Sequence, residues 1–267
     1  MIRDITIGQY YPADSVLHKM DPRAKLVGKL VFIISVFVFH TFPGYAVATI
    51  FLAAMIILSK VPVKFMFKGL KAIVMLLMIT VVFNIFLTPG KVLWQWGILH
   101  VTEEGLKLAG RMAIRLTYLV IGSSLMTLTT TPNQLTDGLE RLLRPLNKLH
   151  VPIHEIAMMM SIALRFIPIL MEETDKIMKA QIARGADFET GNIIQKAKNM
   201  IPLLVPLFIS AFRRANDLAM AMEARCYHGG DNRTQMKPLR YESRDYISYV
   251  VMWAYLGIAI VFRIVGI

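Results

Sequence analysis

The hydrophobic positions of this chain gather into long runs that short polar stretches separate. Runs that could form membrane-crossing helices cover residues 26–40, 45–59, 69–88, 104–130 and 246–264. A helix needs about 20 apolar residues to cross the hydrocarbon of a bilayer. The first two runs are shorter than this, and the turn signal Thr41-Phe42-Pro43-Gly44 between them predicts a helical hairpin. The pattern therefore predicts an all-α integral membrane protein with about five transmembrane helices.

Helix-start signals mark two of the boundaries. Residues 1–25 form a polar, basic lead that ends in Asp21-Pro22, where Asp is a favoured N-cap and Pro a favoured first helical residue. Thr131-Pro132 gives a similar signal after the fourth run, and leucines then recur on one helical side as far as Leu149. We expect four transmembrane helices in residues 26–130, and a linker with the last transmembrane helix in residues 233–267.

Residues 131–232 contain two further apolar segments, 156–171 and 201–212. Both are shorter than a full membrane crossing. Crossing would also place five basic residues outside, against the tendency of Lys and Arg to stay in the cytoplasm: Lys176, Lys179, Arg184, Lys196 and Lys198. We therefore expect both segments to lie under or against the membrane as amphipathic helices. With the helix after Thr131 they form a predicted cytoplasmic module of three helices.

Charge and composition indicate the orientation and the class of protein. The chain of 267 residues is 55% hydrophobic and carries a formal net charge of +12. Basic residues cluster before the first run and between the second and third runs, whereas the first hairpin turn has none. The N-terminus is therefore predicted to be cytoplasmic, and the loop of residues 89–103 to lie outside. The basic excess suits a cytoplasmic face beside anionic lipid, so we do not expect nucleic-acid binding.

A six-residue pattern occurs twice in the predicted cytoplasmic module, each time at the end of a helix. The copies are Ala180-Gln181-Ile182-Ala183-Arg184-Gly185 and Ala221-Met222-Glu223-Ala224-Arg225-Cys226. Two alanines three residues apart leave a small face beside a planar cation, a shape suited to entering a groove on a partner and reaching a carboxylate. The alternative is a simple helix end, because Arg suits the C-terminal dipole and Gly185 is a natural cap. The repetition favours docking. The second copy ends in Cys226, a poorer helix cap than Gly185, and yet it keeps the two alanines and the Arg of the first copy.

Catalytic and metal-binding patterns are missing from the sequence. Without a GxxxxGK[ST] phosphate loop we expect no ATP binding, no ATPase activity and no cofactor in this chain. His150 and His154 are four residues apart, but Pro152 separates them and no third ligand is near, so no metal site is expected. The one cysteine, Cys226, excludes an intrachain disulfide.

Arg115 and Asn84 are predicted to lie at membrane depth, where an ionisable or polar group is a functional candidate. We favour a structural role for Arg115, in which the guanidinium binds a carbonyl and joins two helices. Lys107, Arg111 and Arg115 also form a basic stripe on one helix face, for which the sequence offers no account.

Four segments resemble the T component, EcfT, of energy-coupling factor (ECF) transporters, the vitamin-importing branch of ABC transporters. They are GQYYPADSVLHKMDPRAKL, TTTPNQL, SIALRFIPILMEETDKIMKAQIARGADF and RRANDLAMAMEARCYHGG, at residues 8–26, 129–135, 161–188 and 213–230. The lead is most similar to the shared, group II form that serves many substrate-binding subunits, rather than to the dedicated cobalt or biotin forms. The second motif often ends in Gly in that family, where this chain has Cys226.

The resemblance implies a set of partners. Two ABC-type ATPases of the EcfA and EcfA' kind would bind the ATP and hold the two motifs, with Arg184 in one groove and Arg225 in the other. Closing of the ATPase pair would draw the motifs together and tilt a separate substrate-binding membrane subunit, the S component, so that its vitamin is released inside. The protein would lie in the prokaryotic cytoplasmic membrane as a multi-pass subunit.

A self-contained carrier or channel for an anionic solute is the alternative function, with Arg115, Asn84 and the basic stripe along its pathway. A carrier of that kind should show paired interrupted spans and midplane charges in both halves, and the apolar segments show no such pairing. An intramembrane enzyme lacks a nucleophile and base constellation in this sequence.

Overall fold

The computed structural model describes residues 10–39, 41–71, 73–96, 99–188, 190–229, 236 and 238–265, and these are mainly α-helical. The helices are α1 Val16–Lys19, α2 Pro22–Val38, α3 Phe42–Ser59, α4 Val63–Lys71, α5 Val74–Leu87, α6 Glu103–Thr129, α7 Pro132–Leu143, α8 Ile153–Ala183, α9 Ile193–Asn199, α10 Ile201–Glu223 and α11 Ser243–Val265. A 3-10 helix, Arg144–Leu149, follows α7, and strands β1 Val92–Trp96 and β2 Leu99–Thr102 lie between α5 and α6. The first nine residues of the predicted lead, and residues 233–235 and 237 of the predicted linker, lie outside the described residues.

The chain divides into two compact units. The bundle unit comprises residues 8–139 and 239–267, and the second unit comprises residues 1–7 and 140–238. We call the second one the motif unit because it carries both Arg motifs.

Both predicted helix starts are confirmed. The Asp21 carboxylate accepts a hydrogen bond from the Arg23 amide at 2.8 Å, and Pro22 is the first residue of α2. At α7, the Thr131 hydroxyl accepts from the Gln134 amide at 3.3 Å while the Gln134 side chain accepts from the Thr131 amide at 3.1 Å. This reciprocal pair is a capping box, which satisfies two amides that the first helical turn would otherwise leave unpaired.

The core of the bundle unit lies where α2, α3 and α11 meet. Its buried members are Phe32, Val36, Phe39, Tyr45, Ala48, Leu52, Tyr255 and Ala259. The rings of Phe51 and Tyr255 stack with centroids 4.1 Å apart, and the Ser35 and Tyr255 hydroxyls lie 2.9 Å apart. The Tyr255 hydroxyl therefore has a polar partner where it enters an apolar core.

Four helix ends meet at one end of the bundle unit. The Asp245 carboxylate at the start of α11 accepts from the Asp21 amide at the start of α2, at 2.8 Å. The Lys25 ammonium donates to the Thr129 carbonyl at the end of α6, at 2.9 Å. Val61, just beyond the end of α3, packs in one buried cluster with Leu125 and Leu128 at the end of α6, together with Leu17 of α1 and Met66 of α4. The starts of α2 and α11 thus lie beside the ends of α3 and α6, and we call this region the helix-end face.

In the part of the chain that the structure describes, four helices are long and apolar enough to cross a membrane by length and composition: Phe42–Ser59, Glu103–Thr129, Ile153–Ala183 and Ser243–Val265. Three of them match predicted spans. The other two predicted spans are shorter helices, since α2 has 17 residues and α5 has 14. The run predicted at residues 69–88 is divided between two helices, since residues 69–71 belong to α4 and α5 begins at Val74.

The length argument against a span at residues 156–171 is wrong. The helix that contains them, α8, is 31 residues long, because the apolar run continues into Met, Glu, Lys, Ala and Gln, which are strong helix formers. Length alone therefore does not keep α8 out of the bilayer, and its location stays a prediction.

The connection from α5 to α6 is an antiparallel hairpin, which the sequence analysis treated only as a loop. Trp96 pairs with Leu99 and Val92 pairs with Thr102. The signal was present in the Val and Trp residues of β1 and the Val and Thr residues of β2, which favour strands.

Candidate functional site

The first Arg motif ends α8 in a left-handed turn. Gly185 has a φ of +88° and donates its amide to the Ile182 carbonyl at 2.9 Å. The Ala186 amide donates to the Gln181 carbonyl at 3.0 Å. These two bonds define a Schellman motif, which satisfies carbonyls at the helix end and places Arg184 at the cap position.

The second Arg motif ends α10 with the same two hydrogen bonds. Cys226 has a φ of +56° and donates its amide to the Glu223 carbonyl at 2.8 Å. The Tyr227 amide donates to the Met222 carbonyl at 3.1 Å. Arg225 therefore occupies the same cap position as Arg184, although Cys226 replaces glycine in a conformation that costs a side-chain-bearing residue about 1–2 kcal/mol. The two motifs share one backbone geometry despite their different last residue.

Both motifs are exposed. Arg184 and Arg225 lie on the surface of the motif unit, and the described part of the chain offers neither guanidinium a hydrogen bond or an ion pair. The four motif alanines, Ala180, Ala183, Ala221 and Ala224, are exposed as well. An Arg that served only its own helix end would be expected on the terminal carbonyls. Each motif instead presents a small face and an exposed cation to its surroundings.

Helices α8 and α10 are joined by a polar cluster that sequence reasoning missed. The Glu173 carboxylate accepts from the Arg214 guanidinium at 2.8 and 3.2 Å through one oxygen and from the Ser210 hydroxyl through the other. We call these three residues the clamp. They lie 37 and 41 positions apart in sequence, so no helical spacing rule connects them.

A second contact fixes the direction of the helix pair. The Gln181 side-chain amide donates to the Pro202 carbonyl at 3.3 Å. Pro206 lies inside α10 and has no amide proton, so it leaves the carbonyl four residues earlier, that of Pro202, without its helical partner. Going from Glu173 to Gln181 on α8 corresponds to going back from Ser210 to Pro202 on α10, so the two helices run antiparallel.

The structure does not bring the two Arg motifs together. The end of α8 lies at the start of α10, as the contact between Gln181 and Pro202 shows, whereas Arg225 follows the end of α10. Since α10 has 23 residues, about 35 Å of helix separates the two regions. Two separate binding partners, or two separate grooves, can therefore hold the motifs at once.

Each helix of this pair also carries an exposed apolar surface. The exposed apolar residues include Ile156, Met159, Met160 and Ile167 on α8, and Leu204, Val205, Phe208, Ile209 and Phe212 on α10. A surface of this kind marks contact with a membrane or a protein partner. Methionine suits such contacts because its flexible side chain adapts to different neighbours.

Arg115 joins α6 to the end of α2. Its guanidinium donates to the Phe39 carbonyl at 3.3 Å and lies 5.2 Å from the Phe37 ring centroid. Phe39 caps α2, so its carbonyl is one that the helix leaves unpaired and lies at the negative end of the dipole. The contact supports a structural role for Arg115.

Two other residues of the alternative anion pathway, one from the basic stripe, also have local partners. Asn84 donates to the Thr80 carbonyl one turn earlier at 2.7 Å, and Lys107 pairs with Glu103 at 2.6 Å. These local bonds occupy the groups that an anion pathway would need free.

Among the described residues, no three or more His, Cys, Asp or Glu side chains are grouped so that they could hold a metal ion. His154 instead contacts the Glu140 carboxylate at 2.9 Å, and His150 is an exposed residue in a left-handed turn.

Comparison with known proteins identifies the family. A family model described as cobalt transport protein (CbiQ) matches residues 13–236. The chain is 57% identical to the energy-coupling factor transporter transmembrane protein EcfT of Clostridium kluyveri over 266 residues, which cover 99% of this chain and 98% of that protein. It is 56% identical to the EcfT of Ruminiclostridium cellulolyticum, with 92% of each chain covered, and 46% identical to that of Bacillus subtilis, with 96% and 98% covered. The apolar helices agree with these matches, and the chain belongs to the EcfT family of energy-coupling factor transporter transmembrane proteins.

Proposed function

We propose that this chain couples ATP hydrolysis by two partner ATPases of the EcfA and EcfA' type to the movement of a separate S component that imports a vitamin. The observation that carries the proposal is the pair of helix ends with one backbone geometry, each bearing an exposed Arg that has no partner among the described residues. A groove lined with carboxylate could hold each guanidinium through charge-assisted hydrogen bonds. The vitamin and the S component are implied by the family resemblance.

The clamp explains how movement at the motifs reaches the apolar surface. Glu173, Ser210 and Arg214 lie on the helix pair between the two motif regions. A displacement of either motif would therefore turn both helices about a shared polar contact, because the helical segments between the clamp and each motif contain no proline. The exposed apolar side chains of α8 and α10 would then shift against the S component.

The charge of the helix-end face supports a cytoplasmic N-terminus in a prokaryotic cytoplasmic membrane. Lys19 lies just before α2, Arg23 and Lys25 lie in its first turn, Lys29 follows one turn later, and Lys60 caps the end of α3. Basic residues at one end of a membrane bundle favour the cytoplasmic side.

Charge reversal of the motifs tests the proposal. In Arg184→Glu and Arg225→Glu a carboxylate would face the acidic groove of the partner, and the loss of one contact together with the new repulsion costs on the order of 2–5 kcal/mol. We expect ATPase binding and vitamin uptake to fall strongly while the amount of protein in the membrane stays the same.

The matched control is Arg213→Glu, a reversal at an exposed residue of α10 that lies outside both motifs and the clamp. Co-purification of the ATPases and uptake by reconstituted vesicles are the two measurements. Normal uptake by both motif variants would show that the motifs only end their helices.

The proposal also predicts that the isolated chain binds no nucleotide, because it has no phosphate loop. Equilibrium dialysis of the purified chain with ATP and Mg²⁺ should show no saturable binding, whereas the complex with the ATPases should bind. Saturable binding by the chain alone would contradict the division of labour between the subunits.

A further inference from the structure

A cavity of about 310 Å³ lies in the bundle unit between α1, α2, α3, α6 and α11. Its wall is mainly apolar and includes Phe32, Phe51, Leu52, Met55, Leu125 and Met252. The volume is near the lower end of the 300–1,000 Å³ that ligand pockets occupy. The lining alone favours an apolar occupant.

Cationic side chains also line this cavity. Lys25 already has partners within the bundle unit, since its ammonium donates to the carbonyls of Thr129 and His18. Lys29 lines the cavity without a hydrogen bond or ion pair to any residue that the structure describes. Arg244 binds the Glu242 carboxylate at 2.5 Å through one terminal nitrogen, while its Nε is buried and without a partner among those residues.

Arg244 has one carboxylate partner, Glu242, and the two other carboxylates near the cavity bind other groups. Both oxygens of Asp245 accept backbone amides, those of Asp21 and Glu242. The Asp21 carboxylate binds the Arg23 side chain at 2.7 and 3.0 Å. Among the residues that the structure describes, the Lys29 ammonium and the Arg244 Nε therefore have no acceptor at the wall of this apolar cavity, and a buried donor without a partner is unfavourable.

The cavity is bordered by exposed apolar side chains. Val16, Leu58, Ile247 and Val251 line it and are 53%, 49%, 63% and 49% exposed. In a multi-pass membrane protein such a surface meets lipid. The same region is the helix-end face, where span ends with their basic residues lie at the depth of the lipid headgroups.

We propose that this cavity binds one anionic phospholipid of the surrounding membrane, with an acyl chain in the apolar part and the phosphate on Lys29 and Arg244. Charge complementarity selects this occupant. Among the described residues, a neutral lipid leaves Lys29 without a counterion and the Arg244 Nε without an acceptor, and a free anion leaves the apolar wall uncovered. The lipid joins α2, α3, α6 and α11 at the helix-end face and is a structural partner of the bundle unit. The site rests on membrane location, and it is independent of the proposed coupling to ATPases.

The test uses the full-length protein, purified in detergent, stripped of lipid and returned to mixed micelles of defined composition. Phosphatidylglycerol is expected to raise the melting temperature and to remain as a one-to-one adduct in native mass spectrometry. Phosphatidylcholine and inorganic phosphate are expected to do neither. Equal effects of phosphatidylcholine and phosphatidylglycerol, or stabilisation by phosphate alone, would overturn the proposal.

Variants locate the site. Lys29→Gln combined with Arg244→Gln should weaken phosphatidylglycerol binding by about tenfold, because each of the two cations contributes to the electrostatic attraction for the anionic headgroup. Met126→Trp, which fills the cavity from a half-buried lining position, should weaken retention with both cations in place. Lys64→Gln, at an exposed lysine of α4 outside the cavity, is the matched control and should bind normally. Unchanged binding in the double variant would place the lipid elsewhere.

Discussion

At the residue scale, Cys226 shows that the two Arg motifs are defined by conformation as well as by sequence. The left-handed position after each Arg favours glycine, and Gly185 meets that preference in the first motif. Cys226 adopts the same conformation in the second motif with the same two hydrogen bonds. The Ala and Arg residues of both motifs therefore have the same backbone geometry, although the second motif has Cys226 where glycine is preferred.

Because Cys226 is the only cysteine and is exposed, its thiol reports whether the second motif is covered. A groove that receives Arg225 should also cover the next residue. Maleimide labelling in inside-out vesicles is expected to be fast with the chain alone and to slow strongly when the ATPases are bound.

Addition of the ATPases to the Arg225→Glu variant provides the control, since labelling should then stay fast. Equal labelling of the unmodified chain with and without ATPases would move the docking site away from α10.

At the element scale, the clamp makes α8 and α10 act together. Arg214 is 41% exposed and Glu173 is 21% exposed, so solvent screens the pair and its contribution to stability is small. The clamp instead fixes the relative orientation of the two helices. The Arg214 guanidinium donates two hydrogen bonds to one oxygen of Glu173 and the Ser210 hydroxyl donates to the other, which restricts how the helices can slide or rotate.

We expect Glu173→Arg and Arg214→Glu each to lower vitamin uptake per ATP hydrolysed while the ATPases remain bound, because like charges would then meet at the crossing. Exchange of the two residues in one protein should restore part of the coupling, with an interaction energy of about 1 kcal/mol in the double-mutant cycle.

Arg213→Glu changes the charge of the neighbouring residue and should leave coupling intact. Single variants that transport normally would show that the clamp does not transmit movement. Loss of ATPase binding in these variants would mean that the clamp shapes the docking ends.

At the scale of the whole molecule, the helix-end face limits how the long region between α6 and α11 can meet the membrane. The end of α6 and the start of α11 lie at the same end of the bundle unit. The chain between them must therefore cross the bilayer an even number of times, or not at all. A single crossing by α8, which its 31 residues would allow, is incompatible with this arrangement.

Single-cysteine accessibility distinguishes no crossing from two. In a Cys226→Ser background, Ile194→Cys places a thiol at a position that is 84% exposed in α9. If α8 and α10 both stay on the cytoplasmic side, an impermeant maleimide should label this thiol only in inside-out vesicles.

Lys91→Cys, next to β1 in the loop predicted to lie outside, serves as the control and should be labelled only in intact cells. External labelling of Ile194→Cys would contradict the cytoplasmic module.

The sequence by itself determined the helical membrane class, the starts of α2 and α7, and the position of both Arg motifs, because each depends on local periodicity, local capping or a short pattern. The tertiary structure decided what requires residues distant in the chain to meet. Three hydrogen bonds form only once the helices have packed: Arg214 donates to Glu173, Arg115 to the Phe39 carbonyl, and Lys25 to the Thr129 carbonyl. It also showed that α8 continues past its apolar run and that the Arg motifs lie at different ends of α10. The hydrophobic pattern indicates whether a side chain prefers an apolar or an aqueous environment. The length of a helix and the partner of a polar group depend instead on the neighbouring residues in the folded protein.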